Sequence, residues 1–154
     1  MHSISPLIHL GFIASLSLAC SSCDSKSAST VGGSAAAFET QSFKLVMEPS
    51  GAYSRGTQGT AVVRLTAKGG YKINDEYPFR FECQTPASDG ISYPKPTLTQ
   101  TDATVTEREA VFPIAFVPSK PGHLNVGGSL SLSVCNDQHC VIDKKVLVTQ
   151  IVVP

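Results

Sequence analysis

The sequence predicts an all-β fold: an antiparallel β-sandwich with an immunoglobulin-like topology, preceded by a signal peptide and a flexible tether. Three observations predict the sandwich. Apolar and polar residues alternate with a period of two from about residue 40, clusters of Gly, Pro, Ser and Asp separate the alternating stretches, and no stretch carries a sustained helical stripe. Several short strands joined by turns are typical of a sandwich. The chain contains no Trp, so it lacks the Cys…Trp…Cys pattern of antibody domains.

Four alternating stretches each direct a set of apolar side chains to one face, as a half-buried strand requires. The four sets are Phe43, Leu45 and Met47; Ala61, Val63 and Leu65; Phe79, Phe81 and Cys83; and Phe112, Ile114 and Phe116. A fifth stretch keeps its apolar parity from Leu124 to Val134 across Gly127 and Gly128, where we expect a bulge or a turn. The last stretch, 146–153, is apolar on both parities, which predicts a central strand or one covered on both faces.

The N-terminal region predicts export. Residues 7–19 form an apolar run with the length of a signal-peptide h-region, too short to span a bilayer. The run ends at Ser17-Leu18-Ala19-Cys20, which is similar to a lipobox, the site where a signal peptidase cleaves before a cysteine that becomes acylated. We therefore expect a lipoprotein anchored through Cys20; the alternative is an ordinary signal peptide cleaved near Ala19. Ser21 stands where an Asp would signal inner-membrane retention, which slightly favours the outer membrane.

The predicted organisation is a signal peptide at 1–19, a tether at 20–39 and one sandwich domain at 40–154. The tether is rich in Ser, Ala and Gly and buries too little apolar surface to order itself. The chain has 12 Lys and Arg against 12 Asp and Glu with no basic patch, so we expect no nucleic-acid partner. No other apolar run is long enough to span a bilayer, so we expect membrane attachment through the lipid alone.

The segment from Cys135 to Cys140 places a short polar loop, Asn136-Asp137-Gln138-His139, between two apolar strands, which predicts a hairpin. Two cysteines facing each other across an antiparallel pair have Cα atoms about 4.5–5.5 Å apart, within the range that a disulfide needs. Cys135 lies on the parity opposite the apolar face of its strand, so we expect it to point away from the core.

The other two cysteines receive no role. Cys83 shares the apolar face of its strand and is expected to be a buried, unpaired thiol. Cys23 lies in the predicted tether and has no obvious partner within the chain.

The residues of the hairpin leave its chemistry open. A structural staple is the default for two well-placed cysteines in an oxidising compartment, although closing a loop of about six residues contributes only about 2 kcal/mol. Redox or metal chemistry stays open as well, because His139 beside Cys140 could lower a thiol pKa or bind a metal together with His123. A zinc site normally has paired ligand clusters, and the second cluster is missing, so we predict no metal and no cofactor.

The chain resembles a known family over about residues 58–152. The resemblance rests on Gly70-Tyr71-Lys72-Ile73-Asn74, Pro78-Phe79-Arg80-Phe81, Gly90-Ile91-Ser92-Tyr93-Pro94 and the run from Leu130 to Cys140. These segments are similar to the N-terminal periplasmic domain of the thiol:disulfide interchange protein DsbD. The resemblance implies an immunoglobulin-like sandwich whose cysteine pair, here Cys135 and Cys140, cycles between dithiol and disulfide.

By the same resemblance, the partners would be periplasmic or membrane thiol–disulfide proteins, namely a DsbD-like membrane domain and thioredoxin-like proteins. The sequence does not decide which cysteine attacks, and the neighbouring His139 favours Cys140. The family's aromatic cap loop has no clear match, so Tyr71 or Tyr93 would shelter the sulfurs. The alternative is a non-enzymatic envelope lipoprotein with a binding or assembly role, in which the disulfide is structural.

Overall fold

The structure, a computed structural model, describes residues 36–154, and those residues form a β-sandwich. In chain order the strands are β1 (Ala37–Glu39), β2 (Phe43–Pro49), β3 (Gly59–Ala67), β4 (Lys72–Ile73), β5 (Arg80–Cys83), β6 (Ile91–Ser92), β7 (Thr97–Thr99), β8 (Thr104–Val105), β9 (Glu109–Pro118), β10 (Gly122–Cys135) and β11 (Cys140–Val153). One turn of 3-10 helix, Gln100–Asp102, separates β7 from β8. Within the described range, no helix has the length and apolar character needed to cross a membrane.

The strands form two antiparallel sheets. The first has the order β1-β2-β3-β9-β6, with β8 also paired to β9, and the second has the order β11-β10-β5-β7, with β4 also paired to β10. In chain order, β2-β3-β9 and β11-β10-β5 correspond to strands A-B-E and G-F-C of the immunoglobulin fold, and the short strands β6 and β7 extend the two sheets at their edges. The predicted immunoglobulin-like sandwich is therefore confirmed.

The core lies between the two sheets and contains every apolar set that the alternation predicts. The most completely buried large side chains include Phe43, Leu65, Phe79, Phe81, Phe112, Phe116, Leu130 and Leu132. Strand β1 begins at Ala37, before the predicted domain boundary at residue 40, because Phe38 packs against this core. The predicted signal peptide and Cys20 lie outside the described residues, as does Cys23.

Gly127 and Gly128 do not mark a bulge or a turn, so that prediction is wrong. Strand β10 runs straight through them, and they pair in register with Val148 and Leu147 of β11. A Cβ atom on Gly127 would lie 2.6 Å from the carbonyl oxygen of Leu147, and one on Gly128 would lie 2.6 Å from the ring of Phe81. The glycines therefore allow neighbouring groups to approach the strand closely.

The prediction for the last strand is also wrong. Strand β11 lies at the edge of its sheet and pairs with β10 alone among the described strands. Leu147 and Ile151 face the core, whereas Val146 and Val152 on the opposite face are 50% and 58% exposed. The strand is apolar on both parities, yet only one of its faces is covered.

Candidate functional site

The site is the end of the β10–β11 hairpin, where Cys135 and Cys140 form a disulfide. Cys135 is the last residue of β10 and Cys140 the first of β11, and the two pair in register. Their Cα atoms are 4.0 Å apart, closer than predicted. The neighbouring backbone N–H of Asn136 donates to the carbonyl oxygen of His139, which places the cysteines at a non-hydrogen-bonded position, where paired Cα atoms come closest.

The two cysteines differ in exposure. Cys140 is exposed, whereas Cys135 is half-buried and lies outside the core, as its parity predicts. The hydroxyl oxygen of Ser133 lies 3.9 Å from the sulfur of Cys135, and the side-chain amide of Asn74 donates to that hydroxyl. The disulfide is therefore more open to solvent on the Cys140 side, while Cys135 lies close to polar groups of the sheet.

The loop between the cysteines is held by the side chain of Asn136. Its carboxamide oxygen accepts hydrogen bonds from the backbone N–H groups of Gln138 and His139, at 3.0 and 2.9 Å. An Asn side chain that bonds its own backbone in this way stabilises a tight turn. Asn136 was not predicted as a site residue, although an Asn directly after a strand is a common turn signal.

Tyr71, one of the two residues predicted to shelter the sulfurs, lies at the cysteine loop. Its hydroxyl lies 2.6 Å from Nε2 of His139, and the two rings meet edge to face with centroids 5.5 Å apart. The guanidinium of Arg108 donates to the carbonyl oxygen of Tyr71 and fixes the backbone there. The structure thus brings Tyr71 and His139 together next to Cys140.

Tyr93 does not lie at the cysteine loop, so the prediction that it shelters the sulfurs is wrong. Its hydroxyl donates to the carbonyl oxygen of Gly127 at 3.2 Å and accepts from the N–H of Gly127 at 2.9 Å. Gly127 and Cys135 are separated by roughly 26 Å along an extended strand. Burial raises the pKa of Tyr93, and its hydroxyl hydrogen-bonds the backbone of strand β10.

Strand β4 places a charged pair beside the disulfide that the sequence did not predict. Lys72 pairs in register with Cys135, and its ammonium lies 2.6 Å from the carboxylate of Glu107. The hydrogen bond and charge of Glu107 raise the pKa of Lys72, the charge of Asp137 adds to this effect, and Lys72 lowers the pKa of Glu107. No local signal identifies this pair, because it depends on contacts between distant segments.

The remaining thiol and imidazole lie far from the loop. Cys83 is 5% exposed and has no disulfide partner among the described residues, and burial raises its pKa to about 11. It pairs with Gly128, roughly 23 Å along β10 from Cys135. His123 lies near the other end of β10, roughly 40 Å from Cys135, so it cannot join His139 as a metal ligand. Within residues 36–154, no three His, Cys, Asp or Glu residues cluster to hold a metal ion.

A scan of protein-family models and a search of curated proteins both find no match to this chain. The resemblance to the DsbD domain therefore stays a prediction from the sequence. The chemistry of the site follows from its own geometry: a disulfide whose residue Cys140 is exposed, a tyrosine–histidine pair beside it, and the backbone of Lys72 paired with that of Cys135. A disulfide in this position can be attacked by a thiolate and releases another thiolate in return.

Proposed function

We propose that this chain is a cell-envelope thiol–disulfide exchange module, an oxidoreductase that passes electrons through Cys135 and Cys140 to or from periplasmic partners. Its partners would be thioredoxin-like proteins and a DsbD-like membrane domain. The observation that carries the proposal is the position of the disulfide, at the exposed end of a hairpin whose strands are already paired in register along their whole length.

The position supports exchange because the bond adds little to the fold. It closes a short loop, for which the chain-entropy model gives about 2 kcal/mol. The core is built by other residues of β10 and β11, and neither cysteine belongs to it. A bond intended mainly for stability would gain more by joining strands that are distant in sequence.

The exchange would proceed in two balanced steps. In the dithiol form, the thiolate of Cys140 attacks one sulfur of a partner's disulfide, forms a mixed disulfide and releases the partner's other sulfur as a thiolate. The thiolate of Cys135 then attacks the sulfur of Cys140 and expels the partner's remaining thiolate. Two electrons pass to the partner, and the Cys135–Cys140 disulfide is restored.

The neighbouring groups fit these roles. An ammonium near a cysteine stabilises its thiolate, and an imidazole beside a cysteine can exchange a proton with it. His139 is held next to Cys140 by its contact with Tyr71, and Lys72 lies opposite Cys135. The greater exposure of Cys140 supports it as the residue that meets the partner.

The experiment that tests the proposal is a redox titration of the purified protein in glutathione and dithiothreitol buffers. A reduction potential above about −300 mV, in the range of exchange proteins, is expected. A potential well below that value would identify a structural bond and reject exchange. Among residues 36–154, Cys83 adds one buried free thiol in both states.

A matched pair of variants tests the assignment of the attacking cysteine. In Cys135→Ser the exposed Cys140 remains, and in Cys140→Ser the half-buried Cys135 remains. The first variant should react with glutathione disulfide at least several times faster than the second. Equal rates, or a faster Cys135, would contradict the assignment.

The alternative is a non-enzymatic envelope lipoprotein in which the disulfide pins the hairpin, an arrangement that the in-register pairing of the two cysteines also suits. For either function we propose a lipid anchor at Cys20, with the outer membrane favoured. Incorporation of labelled palmitate that is lost in Cys20→Ser tests the anchor. Membrane fractionation then tests the location.

A further inference from the structure

The outer edge of β11 carries backbone groups without partners. The carbonyl of Gly127 on β10 faces β5, where it accepts from the N–H of Gln84, so the even-numbered residues of β10 direct their N–H and C=O groups toward β11. These even-numbered residues pair with the odd-numbered residues of β11, which therefore direct their N–H and C=O groups toward β10. The even-numbered residues of β11 therefore direct theirs to the free edge. Within residues 36–154, the N–H groups of Val146, Val148, Gln150 and Val152 make no hydrogen bond.

The first half of this edge carries charges that oppose pairing with another strand, and the second half carries none. The backbone N–H of Lys144 donates to the carboxylate of Asp143, and Asp143 forms an ion pair with Lys145 on the inward-facing side of the strand. Edge charges and inward-pointing charges are devices that prevent strand pairing. The segment 146–153 has no charged residue at all, so these charges are confined to the first half of the edge.

We propose that the edge segment 146–152 pairs antiparallel with the same segment of a second copy of this chain. A two-fold axis at Thr149 sets Val146 opposite Val152 of the second copy and Val148 opposite Gln150, and it matches every edge-facing residue with another edge-facing residue. The two five-stranded sheets would then continue across the axis as one. This inference does not depend on the chemistry of the cysteines.

The occupant is a second copy because the segment is complementary to itself. Residues at both ends of the two-fold register are valines, 50% and 58% exposed at Val146 and Val152, so each copy covers apolar surface that the other leaves open. No like charges oppose each other in this register, and the formal net charge of the chain is zero, which favours self-association. An extended segment of another protein is the competing occupant.

Analytical ultracentrifugation of the purified protein tests the proposal, and a dimer with a micromolar dissociation constant is expected. Val146→Lys with Val152→Lys places like charges opposite each other at both ends and should weaken the dimer about tenfold. Val146→Lys with Val152→Glu places opposite charges there and should restore it. Ile142→Lys is the matched control, because Ile142 is 66% exposed on the same face but lies outside the pairing segment, and it should leave the dimer intact.

The side chains of Val146, Val152 and Ile142 are at least half exposed, so each monomeric variant should keep the melting temperature of the original protein. Thermal unfolding followed by circular dichroism at low protein concentration checks this. A protein that stays monomeric at about 100 μM would overturn the proposal and leave an external strand as the occupant. A dimer that is weakened equally by Ile142→Lys would also overturn it. So would failure of the Lys and Glu combination to restore a dimer lost with two lysines.

Discussion

Reduction of the disulfide should leave the domain folded and only modestly less stable. The bond closes a loop of about six residues, so its chain-entropy contribution is about 2 kcal/mol. The pairing of β10 with β11 extends from Gly122 opposite Val153 to the cysteines themselves and keeps the hairpin closed without the bond. Because neither cysteine is part of the core, we expect no further loss from burial.

The predicted ceiling is therefore about 2 kcal/mol, which corresponds to a fall in melting temperature of at most about 8 °C for a domain of this size. The assay is urea unfolding with and without a phosphine reductant, followed by circular dichroism because the chain has no Trp. Cys135→Ala with Cys140→Ala should reproduce the reduced protein. Leu132→Ala, which removes a fully buried side chain of the same strand, is the positive control and should cost about 2–5 kcal/mol.

A loss above about 4 kcal/mol on reduction, or unfolding at room temperature, would refute this reasoning. The bond would then be a structural requirement, and the domain could not pass through a dithiol state while folded. That result would also favour the non-enzymatic alternative.

Three further predictions concern the surroundings of the hairpin. Asn136→Ala removes the oxygen that accepts two loop N–H groups and should cost about 1–2 kcal/mol in the urea assay, whereas Asn136→Asp keeps the acceptor and should cost less than half as much. Tyr93→Phe should cost about 1–2 kcal/mol, because its hydroxyl bonds both backbone groups of Gly127, yet it should leave the reduction potential unchanged; a shifted potential would contradict its placement away from the disulfide. Burial raises the pKa of Cys83 to about 11, so the folded state keeps a proton that the unfolded chain loses. Its contribution to stability is fully present below about pH 8.5 and is lost as the pH rises toward 11, and Cys83→Ala should remove that part of the decline in an unfolding series across this range.

The alternating stretches predicted the core because alternation is a property of the strand itself. Successive side chains of a strand point to opposite faces, so the parity of Phe112 and Phe116 predicts which face they share, whatever lies next to them. The same argument placed Cys135 outside the core and Cys83 inside it, and the structure agrees on both. The hairpin between the cysteines followed from a short polar loop between two strands.

The errors concern properties that depend on a neighbour. Two glycines inside a strand predict either a bulge or a close approach, and only the positions of Leu147 and Phe81 show that the second applies. Tyr93 belongs to one of the resembling segments, but its distance from the cysteine loop depends on which end of β10 it contacts.

The sequence alone determined that this chain forms a sandwich, which face of each strand is apolar, and that two cysteines end one hairpin, because these follow from local alternation and turn chemistry. The tertiary structure decided that β11 is an edge strand, so that Val146 and Val152 stay exposed, and that Tyr71 and Lys72 lie at the disulfide. Exposure and charge environment depend on which strand lies alongside, and strands that are adjacent in a sheet can be distant in sequence. The order of the strands in the sheet therefore decides which residues surround the cysteine hairpin.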